Sequence, residues 1–195
     1  MSVISVIVGS VRQNRFAERP AQWIFGLLKA RKGVQAELLD LKDFPMPFFD
    51  AAVTPAWPGR PPYEHPVVKQ WTAAIAKSDG FIFVAPEYNH GYSAVLKNAI
   101  DWVYPDWNRK AACFVSYGSV MGARSVEQLR QVAVELQLAP IRASVHIPVP
   151  TLMAYFQGKP ELIDAGIKEL DPVGNAMLDD LLWWTEALKK ARTAP

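Results

Sequence analysis

Five short apolar runs, separated by segments of helical periodicity, restrict this chain to very few architectures. They read VISVIVG (Val3 to Gly9), VQAELLDL (Val34 to Leu41), GFIFVAP (Gly80 to Pro86), AACFVSYG (Ala111 to Gly118) and APIRASVHIPVP (Ala139 to Pro150). The first, third and fourth are almost continuously apolar. A strand with one face in water alternates polar and apolar residues, so a strand without that alternation is covered on both faces. Between the runs, apolar residues return at helical spacing over about 16–31, 65–77, 92–107 and 125–138, with Trp23, Ile24, Leu27 and Leu28 forming the inward stripe of the first. A last helix is predicted from about Pro172 to Ala191, with Asp171 as its cap, a first-turn proline and lysines near its end. Alternating strands and helices mean a parallel sheet with right-handed crossovers.

Five strands in 195 residues fit a doubly wound α/β sheet of flavodoxin-like order 2-1-3-4-5 with helices on both faces, one domain over residues 1–195. A six-stranded dinucleotide fold fits less well. In such sheets the ligand lies beyond the carboxyl ends of the strands, where the loops after strands 1, 3 and 4 meet. The loop after strand 1, GSVRQNRFAERPAQWI, brings the Ser10 hydroxyl, unpaired N–H groups at a helix start, and the charges of Arg12 and Arg15. That is the composition of a phosphate site, and a polar turn with two solvated arginines accounts for it equally well. Gly9 has no G-x-G-x-x-G companions and no G-K-[ST] follows, so neither a dinucleotide fingerprint nor a Walker loop is present.

The loop after strand 3 is Pro86, Glu87, Tyr88, Asn89, His90 and Gly91. Pro86 fixes the exit from the strand, Tyr88 offers an aromatic surface, and Asn89 offers donors and an acceptor. The set suits a flat heterocycle with a polar edge; the plainer reading is a packed corner with Tyr88 in the core and His90 in water. The loop after strand 4, SYGSVMGARS, has Gly118 and Gly122 where a ligand can approach the backbone and Tyr117 to lie against a ring. Val120 stands where a nucleophile elbow needs serine, which argues against hydrolase chemistry. Arg124 is open to two readings, a second ligand or a helix cap. One phosphate loop and two loops for an aromatic plate suggest flavin mononucleotide.

The stretches GSVRQNR, PEYNHGYSAVLKNAIDW and SYGSVMGARSVEQLRQV resemble, in order, the three motifs of the NADPH-dependent FMN reductase family, a flavodoxin-like family that includes quinone, azo-dye and chromate reductases. The resemblance implies that Ser10, Arg12, Arg15 and the backbone of Phe16 hold the FMN phosphate. Pro86, Glu87, Tyr88 and Asn89 then border the isoalloxazine ring, and Tyr117, Gly118 and Ser119 cover another edge. Gly91 and Ser93 stand where the family usually has a small residue and a proline, a departure expected to loosen the turn and to bear on substrate preference. The family pattern implies an NAD(P)H-dependent reductase working by a ping-pong mechanism. NADPH or NADH is the co-substrate, and a quinone, azo compound, chromate or free flavin is the acceptor. No side-chain nucleophile is required. The resemblance further implies a homodimer or homotetramer, with Trp107 of the AIDWVYPDWNRK stretch the expected interface residue and Trp102 equally open to packing within the subunit.

Charge and cysteine usage narrow the remaining classes. With 21 basic and 19 acidic residues the chain has no basic block, which argues against a nucleic-acid partner. No apolar run reaches the length of a membrane span, and no basic leader precedes the first strand, so no membrane association is expected. The single Cys113 reads as an inert core thiol in a cytoplasmic protein. The three histidines lack metal-ligand spacing, so no metal is expected. A flavodoxin-type electron carrier without its own nicotinamide substrate is the alternative, and such carriers tend to be acidic, whereas this chain has a pI near 8.6. The stretch from Ala154 to Pro172 reads only as a loop or short helix.

Overall fold

A computed structural model describes residues 1–193. Five strands, β1 (Ser2–Val8), β2 (Val34–Asp40), β3 (Gly80–Pro86), β4 (Ala111–Tyr117) and β5 (Ala139–His146), form one parallel sheet in the order β2-β1-β3-β4-β5. The flavodoxin-like order expected from the sequence is therefore observed. The helices are α1 (Glu18–Lys29), α2 (Pro66–Lys77), α3 (Ala94–Asp101), α4 (Ala123–Glu135), α5 (Val149–Phe156), α6 (Pro160–Lys168) and α7 (Asp171–Thr193).

Successive side chains of a strand point to opposite faces, and the core divides accordingly. Ile4, Val6 and Val8 of β1, with Ile82, Val84, Cys113 and Val115, pack under α1 and α7. Ile7, Phe81, Phe83, Ala85, Ala112 and Phe114 pack under α2, α3 and α4. All seven residues of β3 and of β4 are buried, which is why these strands show no alternation. Cys113 is buried, and burial pushes its thiol pKa up, as an inert core cysteine requires.

Three expectations are corrected. The helix predicted over 92–107 stops at Asp101, because Pro105 cannot continue the ladder and starts a separate 3-10 turn at Pro105–Trp107. Trp107 is fully buried, edge-on to Phe81 at 4.8 Å and to Trp71 at 6.3 Å, so it belongs to the core and presents nothing to a partner. Trp102 is buried as well, and its indole N–H donates to the Pro47 carbonyl at 2.9 Å. Asp171 is the first helical residue of α7 rather than a cap, and its carboxylate accepts from the Trp23 indole at 2.7 Å.

The segment after β5 holds more structure than its sequence suggested. Two short helices, α5 and α6, fill it, and each carries a proline in its first turn. They pack so closely that a Cβ on Gly166 would collide with the Thr151 side chain, while Ile163 and Ile167 reach the core.

Candidate active site

The loops after β1, β3 and β4 converge at the carboxyl edge of the sheet, and hydrogen bonds cross-link them into one frame. The Gly9 N–H donates to the Val84 carbonyl at 2.9 Å, and the Glu87 N–H to the Tyr117 carbonyl at 2.9 Å. The Ser10 and Tyr88 hydroxyls lie 2.8 Å apart, joining the first loop to the second. Ser93 is buried; its hydroxyl donates to the Gly9 carbonyl at 2.5 Å and accepts the Leu96 N–H, capping α3. Serine in the place of the usual proline thus ties the turn to β1 instead of loosening it.

Tyr88 and Gly91 exchange backbone bonds of 2.8 and 3.1 Å around Asn89 and His90, both of which have positive φ (50° and 76°). Two left-handed central residues mark a type I′ turn, which sets Asn89 at its exposed tip. Glu87 does not face solvent. Its buried carboxylate pairs with the Arg124 guanidinium, accepting the Arg124 Nε–H at 2.6 Å and the Arg124 backbone N–H at 3.2 Å. Arg124 therefore neither caps its helix with its side chain nor lies free for a second ligand; it locks the β3 loop onto the start of α4. In the third loop, Gly122 has φ +77°, and a Cβ there would overlap Ser116 and the Tyr117 backbone. The Ser116 hydroxyl, 2.8 Å from His146 Nδ1, donates to the Met121 carbonyl at 2.9 Å and folds that loop back.

Arg12 and Arg15, equivalent in the sequence reading, have different positions. Arg15 is buried, with Nε 3.0 Å from Glu18, one terminal nitrogen 2.8 Å from Asp40, and further bonds to Asp40 and the Ser10 carbonyl. Burial opposes both charges. The mutual hydrogen bonds and attraction outweigh it, holding the Arg15 pKa above and the Asp40 pKa below their ordinary values. The fork of Arg15 is thus committed to bracing the loop. Arg12 is exposed, 5.5 Å over the Tyr88 ring, and forms no salt bridge among the described residues. Asp40, at the end of β2, is a supporting residue behind the site that motif reading missed; its signal was a lone acid at a strand end beside a loop with two arginines.

Between these loops lies a cleft of about 240 Å³ lined by Arg12, Asn14, Arg15, Phe16, Glu87, Tyr88, Tyr117, Gly118 and Ser119, and on its far side by Leu152, Tyr155 and Phe156 of α5. Eight of the eleven residues expected at a cofactor therefore converge, and Ser10, Pro86 and Asn89 stand just behind or beside the lining: Ser10 and Pro86 are buried and Asn89 is exposed. The Tyr117 ring meets Phe16 edge-on at 5.1 Å, and its buried hydroxyl has no hydrogen-bond partner. Burial, and then the nearby Tyr88, push its pKa up. Among the described residues, no backbone N–H from Val11 to Phe16 donates to a backbone carbonyl. A buried hydroxyl without a partner, a run of uncommitted N–H groups, one arginine free of ion pairs and aromatic walls together fit a phosphorylated, ring-bearing ligand. A cleft of about 300 Å³ within the long loop before α2, lined by Asp50, Arg60, Tyr63, His65 and Trp102, contains no buried unpartnered polar group among the described residues.

Residues 2–150 match the model of a family described as NADPH-dependent FMN reductase. The chain belongs to that family. Membership makes it an oxidoreductase with FMN as cofactor and NAD(P)H as co-substrate. An NAD(P)H-dependent FMN reductase of Schizosaccharomyces pombe is 38% identical over 147 residues, covering 74% of this chain and 73% of its own. An NADPH:quinone oxidoreductase of Arabidopsis thaliana is 32% identical over 176 residues, covering 85% and 84%. Among solved structures, the flavoenzyme NAD(P)H:acceptor oxidoreductase FerB of Paracoccus denitrificans superposes with a TM-score of 0.59 at 20% identity, over 87% of this chain and 98% of that one. That likeness speaks for the fold. No helix among the described residues is long and apolar enough to cross a membrane.

Proposed function

We propose that this reductase binds FMN in the three-loop cleft and passes electrons from NAD(P)H to a small acceptor, a quinone, azo compound, chromate or free flavin, in a ping-pong cycle. The observation that carries the reading is the unpartnered Tyr117 hydroxyl, buried beside the Ser10–Tyr88 hydroxyl pair at the meeting point of all three loops. A buried hydroxyl without a partner costs about 1–3 kcal/mol, so a site that retains one expects a ligand to satisfy it. The N–H groups of residues 11–16, the Ser10 hydroxyl and Arg12 would hold the phosphate, with Arg15 shaping the loop from behind. Pro86 to Asn89 would border the ring on one side and Tyr117 to Ser119 on the other, and the N–H groups near Asn89 and Gly118 would bond its polar edge. Bound FMN supplies the hydride and electron chemistry. The protein's own task is to hold the ring between rigid loops with one face open to the nicotinamide and then to the acceptor. Arg124, engaged by Glu87, is not free to meet a 2′-phosphate.

The same reading includes a homodimer or homotetramer. Its support is the long loop before α2, where Phe48 is 82% and Trp57 65% exposed, an apolar display that association would cover. The test of function is a spectrum of the purified protein loaded with FMN, before and after NADPH under argon. Bleaching that reverses on adding a quinone supports the reductase. Flavin that NADPH cannot bleach would leave a flavodoxin-type carrier, and failure to bind FMN would overturn the assignment of the cleft.

A further inference from the structure

The helices α5 and α6 add no strand to the sheet and lie almost wholly beyond the family match, which ends at residue 150. Even so, α5 forms one wall of the cleft through Leu152, Tyr155 and Phe156. Tyr155 makes the specific contacts. Its hydroxyl donates to the Asn14 carbonyl at 2.6 Å, and its ring meets Phe16 edge-on at 5.5 Å. Asn14 has φ +47°, a left-handed conformation that a non-glycine residue keeps only when its surroundings hold it there.

A trans peptide points its carbonyl and N–H in opposite directions. Anchoring the Asn14 carbonyl on α5 therefore fixes the Arg15 N–H turned away from α5. At the other end of the loop, the Ser10 carbonyl is anchored in the same way by the Arg15 guanidinium. The loop is pinned at two carbonyls, one by its own arginine and one by a helix more than 130 residues further along the chain, while the N–H groups between them have no backbone acceptor among the described residues.

We propose that Tyr155 is a positioning residue for the phosphate of bound flavin, acting through Asn14 to keep residues 10–16 in their anion-binding shape; this rests on the FMN reading above. It gives the segment after β5 a role in telling FMN from riboflavin, which carries the same ring without the phosphate. Tyr155→Phe removes the bond to Asn14 and keeps the ring against Phe16. The apo-protein is titrated with FMN and with riboflavin, following quenching of flavin fluorescence, and its thermal midpoint is measured alongside. Loss of one hydrogen bond that orders the loop should raise the Kd for FMN about fivefold to tenfold and leave that for riboflavin within about twofold. Equal weakening of both ligands would assign the hydroxyl to the cleft wall in general and overturn the proposal. An unchanged Kd for FMN would also overturn it, leaving the FMN reading intact. Wild-type protein that binds no FMN would overturn that reading itself, before any variant is compared.

Discussion

Lys110 stands at the start of the β4 run, 7% exposed, with its ammonium nitrogen 2.8 Å from the Ile75 carbonyl and 3.1 Å from the Ala76 carbonyl at the end of α2. Burial, with Arg192 nearby, lowers its pKa from 10.5 to about 8. The folded protein thus disfavours the charged amine relative to the unfolded chain. The full penalty applies below about pH 8 and is relieved as pH rises towards 10.5, because over that window the unfolded state binds more protons. A depression of that size is worth about 3 kcal/mol, of which about 2 kcal/mol is recovered between about pH 7 and pH 9.5. Lys110→Met removes the titration and leaves Cys113, whose raised pKa works in the opposite sense at high pH, common to both proteins. Urea unfolding of wild type and variant at the two pH values isolates the lysine as the change in their difference. Wild type should gain about 2 kcal/mol on the variant as pH rises. A difference constant to within about 0.5 kcal/mol would mean that the amine keeps an ordinary pKa and that the two carbonyls compensate its burial.

Three further outcomes are expected. Tyr117→Phe should leave the apo-protein as stable as wild type or about 1 kcal/mol more stable, since it removes a buried unpartnered hydroxyl, yet weaken FMN binding; opposite signs in unfolding and titration experiments are the readout. Asp40→Asn strands the buried Arg15 guanidinium and should cost about 2–4 kcal/mol in chemical denaturation at neutral pH. Because the Asp40 pKa lies below its ordinary value, the wild-type advantage should shrink as pH falls through the acid range. Ser93→Ala loses a helix cap and the bond to Gly9, for about 1–2 kcal/mol in the same assay.

The sheet was legible because burial on both faces writes itself into sequence as unbroken apolar runs, and β3 and β4 are the clearest cases. The site loops were legible as positions, since a doubly wound sheet dictates where its ligand lies. Pairings within the site were not legible. Nothing in the order of residues says that Arg15 turns inward to Asp40 while Arg12 stays outside, or that Glu87 reaches across to Arg124, because each pairing depends on side-chain packing between distant segments. Trp107 was misplaced for a related reason: a tryptophan after a helix reads alike whether it faces a partner or folds back under the sheet, and only Phe81 and Trp71 decide between them. α5 and α6, eight and nine residues long, are too short for periodicity to separate them from loop, although Gly158 followed by Pro160 marks the break between them.

The placement of α5 and α6 has a consequence for how proteins of this shape diversify. The pair lies between the last strand and the last helix and is attached to the core through Leu152, Ala154, Ile163 and Ile167. A change of length or composition there disturbs no strand register and no crossover, yet it rewrites one wall of the cleft. Selection can therefore remodel access to the cofactor at little cost to folding, in the way an exchangeable faceplate alters a lock while leaving its body untouched.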